Sequence, residues 1–198
     1  MSTVTLPRIG VPSGEVLDRL RALSRQWASV DTSIGDGHTL VVRGTHAPTR
    51  SGPVLVALDD DDNAGVLLRH GYEVAVRLGV ALRVVHVWSD CRPPDCPHHR
   101  RCHRDLGEAD RLLAALLDEH LPIEAVRRIE REVLRAADPA EALVALTASA
   151  STLVVGSSSD SPTGSGTLGT TTRAILGRTR CPVLVVPYHR LSATRVRW

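Results

Sequence analysis

Three of the chain's four cysteines and three of its nine histidines crowd into thirteen positions, "CRPPDCPHHRRCH" at 91–103. Thiolate and imidazole are the ligands zinc takes in a tetrahedral set. Cys91, Cys96 and Cys102 with one of His98, His99 or His103 therefore make a candidate four-ligand site, for which His103 is the expected fourth member. The C-x4-C-x5-C spacing differs from the paired C-x2-C knuckle of common zinc sites. Pro93, Pro94 and Pro97 would stiffen a liganded and an unliganded loop alike. A reversible disulfide and a plain surface loop are the other readings.

A second set of residues suits phosphate. The stretch "GSSSDSPTGSGTLGTTTR", 156–173, is rich in glycine and hydroxyl side chains and runs into a predicted helix. Glycines let the backbone approach phosphate oxygens closely, and a helix start offers unpaired N–H donors. Thr170, Thr171 and Thr172 add hydroxyls there, but no Gly-Lys-Ser/Thr of a Walker A loop is present. A third set, "LDDDDNAG" at 58–65, puts four consecutive carboxylates, Asp59 to Asp62, in one turn. Their hard oxygens could share a divalent cation. No catalytic set emerges. Ser157 to Ser159 lie in no nucleophile elbow, His86 falls within a predicted strand as a satisfied buried histidine, and Cys181 reads as a core thiol.

These residues need a scaffold, and the periodicity supplies one from Pro53 onward. "PVLVAL" and "VALRVVHVW" are apolar runs of the kind buried on both faces of a parallel sheet. Between them Leu67, Leu68, Gly71, Val74, Ala75 and Leu78 recur at helical spacing, with Gly79 as a cap. Leu106 to Leu117 mark a second helix, and "AVRRIEREVL", 125–134, alternates like a half-exposed third strand at an edge. Asp138, Pro139 and Glu141 then spell a helix start with a capping-box spacing. "TLVVG", the short helix "TTTRAILGR" and "CPVLVVP" complete an alternation that means an α/β fold. In such a sheet ligands bind beyond the carboxyl ends of the strands, where the acidic turn and the Gly/Ser/Thr loop both emerge.

Residues 1–50 form a separate unit in this reading. Val16, Leu17, Leu20, Leu23 and Trp27 share one side of a predicted helix, "HTLVVRG" is a short strand, and "THAPTRSG" is a linker. "TLVV" at 39–42 recurs at 152–155, an echo that suggests a vestigial repeat. The main domain spans 51–190, and 191–198 is a basic tail. All 24 basic residues are arginine, and the net charge is only +2. Without aromatics interleaved among the arginines, nothing argues for nucleic acid. The chain has no membrane-spanning apolar run, and its first ten residues lack the pattern of a signal peptide. A cytoplasmic location is expected.

From 53 to 187 the chain resembles the universal stress protein family, on "VLVALD", "LRVVHVW", "DPAEAL", "TLVVGSSS" and "RCPVLVVP". The resemblance implies a Rossmann-like fold of the adenine-nucleotide alpha-hydrolase type: a three-layer, open, five-stranded parallel sheet in order 3-2-1-4-5. It implies a homodimer formed by antiparallel pairing of the last strands, here "PVLVV". It also implies ATP binding, with or without Mg²⁺, in a regulatory protein without fast catalysis. The family's Gly-x2-Gly-x9-Gly-Ser/Thr signature falls on Gly156, Ser159, Gly169 and Thr170, with serine in place of the second glycine. Asp59 matches the adenosine-contacting aspartate, and Val87 the strand-end position whose backbone holds adenine. The alternatives are a dimeric interaction module that does not bind nucleotide, and a metal or thiol-redox sensor acting through 91–103.

Overall fold

The apolar runs become the middle of a single sheet. The computed structural model describes residues 32–35, 39–46, 51–59, 63–88, 105–157 and 168–187, together with Asp18 and Arg21. The strands are β1 (Thr32–Gly35), β2 (Thr39–Val42), β3 (Val54–Ala57), β4 (Leu82–Trp88), β5 (Glu130–Arg135), β6 (Thr152–Gly156) and β7 (Val183–Val186). The helices are α1 (Ala64–Leu78), α2 (Leu106–His120), α3 (Ile123–Val126), α4 (Pro139–Leu146) and α5 (Thr170–Ile175).

The sheet corrects the expected architecture. It is not five-stranded and wholly parallel. Among the described residues it has seven strands in order β1-β2-β7-β6-β3-β4-β5 and is mixed. The run β7-β6-β3-β4-β5 is parallel throughout, whereas β1, β2 and β7 pair antiparallel. The physical reason lies in β2. Leu40 and Val42 are fully buried and pack with Val183 and Val185 on one face of the sheet. A strand this apolar gains more by joining the sheet than by standing apart from it. The TLVV echo pointed to β6, but β2 lies beside β7 and runs against it. With β6 on one side and β2 on the other, β7 has no open edge, and pairing with a second copy's β7 would require β2 to leave.

Alternation along each strand feeds two cores. Val54, Val56, Val84 and Val154 face α1 and α2, while Leu55, Val85, Leu153 and Val155 face α4 and α5. Helix α1 ends at Gly79 in the left-handed conformation (φ 66°), as its spacing predicts, but Leu78 is half exposed rather than part of the apolar face. The third strand starts later than its alternation suggests. Residues 123–126 form a helical turn behind Pro122, and β5 begins at Glu130. Asp138 caps α4 by accepting from the backbone N–H of Ala140 and Glu141. Glu141 does not close the capping box; its carboxylate pairs with Arg178 beyond α5. Asp18 and Arg21 form an ion pair one helical turn apart (3.2 Å). The remaining residues of the predicted first helix lie outside the described ones.

Candidate functional site

Strand order reverses at β3. The chain leaves β3 for β4 on one side and returns through β6 on the other, so the ends of β3 and β6 are adjacent with loops that diverge. Such a switch point opens a crevice at the carboxyl edge. Val56 stands opposite Val84 in β4 and Val154 in β6. Just past those pairs the Leu58 N–H still donates to the Val85 carbonyl (2.9 Å), so the chain runs toward Asp59 beside β4, while β6 ends at Gly156. Pairing between β3 and β4 ends at Ala57 and Val85, while β4 runs on to Trp88, so Val87 extends past the ladder.

The far side of the crevice is tied together at its base. The Gly169 N–H donates to the Ser157 carbonyl (2.6 Å), and the Thr172 hydroxyl donates to the Gly156 carbonyl (2.7 Å). Ser157 is held in turn by its own N–H donating to the Val186 carbonyl (2.8 Å). These bonds join the end of β6 to the start of α5 across the intervening loop. Gly156 and Gly169, thirteen positions apart in sequence, are thereby brought together. Thr170 is exposed at the first turn of α5, whereas Thr172 is buried and its hydroxyl is committed to Gly156. Ser159 and Asp60 to Asp62 lie outside the described residues, as do Cys91, Cys96, Cys102 and His103. Among the described residues no group of three or more His, Cys, Asp or Glu side chains could hold a metal ion.

Two histidines matter more here than their sequence context indicates. His86 is buried, and its Nδ1 lies 3.0 Å from the Leu58 carbonyl. A carbonyl only accepts, so Nδ1 carries the proton and the imidazole straps β4 to the residue immediately before Asp59. Burial of this histidine is legible in the sequence; its role in positioning is not, because Leu58 is 28 residues away. His120, at the end of α2, packs against Gly65 in the first turn of α1, where a Cβ would come 2.7 Å from its Nδ1. Burial lowers its pKa below the usual 6.5; Glu119 opposes that shift and Arg69 adds to it. At the same carboxyl edge the Arg135 guanidinium lies over the Trp88 ring, 5.4 Å from its centre. The Cys181 thiol is buried and pushed up to about 11 by desolvation, partly offset by backbone hydrogen bonds. That is the behaviour of a core thiol.

Comparison with known proteins agrees with this architecture. Residues 51–187 match the universal stress protein family. Among curated relatives, Universal stress protein Rv1996 of Mycobacterium tuberculosis is 27% identical over 202 residues, covering 87% of this chain and 62% of that protein. Universal stress protein Rv2005c of the same organism is 33% identical over 137 residues, covering 67% of this chain and 44% of that protein. The chain thus spans less than two thirds of the length of these relatives. Residues 51–198 make up about three quarters of the chain, so the 87% span with Rv1996 must reach into the residues before 51. Among solved structures, a universal stress protein from Archaeoglobus fulgidus superposes with a TM-score of 0.51 at 26% identity, covering 68% of this chain and 98% of that one. With a single family accounting for 51–187 and for the sheet that carries the crevice, the chain belongs to the universal stress protein family.

Proposed function

We propose that the chain is a nucleotide-responsive regulatory protein, binding ATP with or without Mg²⁺ between the loops after β3 and β6, and acting in stress response without fast turnover. The observation that carries this reading is the switch point itself, where β3 and β6 lie side by side and the Gly169 N–H at the start of α5 bonds the Ser157 carbonyl at the end of β6. In it the Val87 backbone meets the adenine edge and Asp59 the adenosine. Gly156, Ser159, Gly169 and Thr170 surround the phosphates, where small residues permit close backbone approach. Carboxylates of the acidic turn would hold the cation, which screens them from the phosphates. We assign this role to a domain over 51–190 to which residues 1–50 add the strands β1 and β2, read 191–198 as a flanking segment and 91–103 as an insertion at the crevice rim, and place the protein in the cytosol.

Thermal unfolding with and without Mg-ATP tests the reading. At a hundred times the dissociation constant, a ligand specific for the folded state adds about 2.7 kcal/mol. The expected result is a rise in Tm with the parent that Gly169→Val abolishes, each protein being compared with its own ligand-free Tm because valine is a poor N-cap for α5. No shift with the parent protein, together with no nucleotide in its native mass spectrum, overturns the proposal. A zinc adduct in that spectrum would move attention to residues 91–103.

A further inference from the structure

β3 stops one rung short of where its hydrogen bonding with β4 could carry it. Ala57 stands opposite Val85, and the Leu58 N–H then donates to the Val85 carbonyl (2.9 Å). The next rung of a parallel ladder would run from the Val87 N–H to the Leu58 carbonyl. Among the described residues that rung is not made, and the strand ends at Ala57. The Leu58 carbonyl accepts instead from the His86 imidazole, whose Nδ1 is 3.0 Å away. We propose that His86 is a positioning residue: by taking the Leu58 carbonyl it keeps the Val87 N–H and carbonyl turned toward the crevice, for the edge of a purine with an acceptor beside an amino group. The ligand rests on the nucleotide reading above; the strap does not.

The backbone directions follow from the ladders on either side of β4. Peptide groups alternate along a strand, so Val87 points its N–H and carbonyl where Val85 does, toward β3. The residues between them serve β5, as the Ala136 N–H does on the Trp88 carbonyl (3.0 Å). β5 therefore cannot take up the polar groups of Val87. By the same alternation the His86 ring stands on the face of Val84, where α1 and α2 pack. It draws the Leu58 carbonyl out of the plane of the sheet toward that face, and the chain goes on from there to α1. His86 and Leu58 are each only 5% exposed, so water competes little for the bond between them.

Amide hydrogen exchange, read residue by residue by NMR on the nucleotide-free full chain, tests the strap. In the parent the Val87 amide should exchange at least about tenfold faster than that of Val85, which is paired with β3. His86→Phe keeps a ring and removes the donor. The Leu58 carbonyl then turns to Val87, whose amide should slow to the rate of Val85's. His86→Asn, with an amide nitrogen in the place of Nδ1, should restore the parent's pattern. A Val87 amide as slow as Val85's in the parent overturns the proposal, even if His86→Phe fails to fold. So does a Val87 rate that His86→Phe leaves unchanged. Titrations with Mg-ATP and with Mg-ITP, whose hypoxanthine reverses donor and acceptor, test the purine edge. The preference for Mg-ATP should fall about tenfold in His86→Phe and return in His86→Asn. An unchanged preference overturns the role in recognition. A parent that binds neither nucleotide yet shows the expected exchange pattern removes the nucleotide reading and upholds the strap.

Discussion

The two flanks of the sheet are finished in opposite ways. On one side β5 has β4 as its one strand neighbour among the described residues, and it carries Glu130, Arg131, Glu132 and Arg135, with Arg83 reaching Glu132 (2.6 Å) and Arg131 reaching Asp110 (3.1 Å). On the other side β7 is almost purely valine and leucine, and it is covered by β2. An exposed apolar edge is a template for unwanted pairing, and charge or cover are two ways to blunt it. The difference teaches that strand composition determines which remedy is available. β5 can stay open because water solvates its side chains. β7, whose Val183 and Val185 are fully buried, cannot.

Breaking the covered flank should have the largest effect. Val42→Asp places a carboxylate where exposure is nil and should cost about 4 kcal/mol or more, read from the denaturant midpoint. Glu130→Ala on the charged flank should stay within about 0.5 kcal/mol. The Val42 variant should also speed alkylation of Cys181, whose burial holds the thiol at about 11 in the parent, measured by mass spectrometry at pH 8. Gly44→Val forces a side chain against the Arg180 carbonyl and should cost about 1–3 kcal/mol, with a lower Tm.

Smaller effects belong to the charged side, where α2 lies against β5. The pKa of His120 is lower in the folded protein than in the unfolded chain, so as pH falls below 6.5 the unfolded chain takes up the proton first. The stability due to neutral His120 is present above that pH and lost below it. His120→Gln should therefore flatten the fall of Tm between neutral and mildly acidic pH. Removing the Arg83 charge with Arg83→Gln should cost about 1–2 kcal/mol, because the Glu132 oxygen that it reaches is buried and loses its cation, while the rest of the pair is partly exposed. Added salt should narrow that difference.

The parallel strands were readable because burial on both faces leaves a continuous apolar run, as in Val54 to Leu58 and Val183 to Val186. The caps at Asp138 and Gly79 were readable because they obey local rules. What escaped was non-local. Nothing near Thr39–Val42 reveals that its partner lies more than 140 residues away, or that pairing with it adds two strands to the sheet. β5 began late because Pro122 set up a helical turn that the arginine–glutamate alternation concealed. In the site, Asp59, Val87, Gly156 and Gly169 could be assigned to one edge by topology alone. The hydrogen bonds from His86 to Leu58 and from Thr172 to Gly156 could not, since each joins elements that only folding brings within reach.

Val42 and Val54 are joined by a short stretch of backbone, and that tether changes how β7 would respond to protein concentration. A strand held on a short linker meets its partner at an effective concentration on the order of millimolar. A second copy at micromolar levels competes at a disadvantage on the order of a thousandfold for the same edge. Closure of this flank is therefore unimolecular, and it does not change with the amount of protein the cell makes, whereas an obligate dimer's stability follows its own abundance.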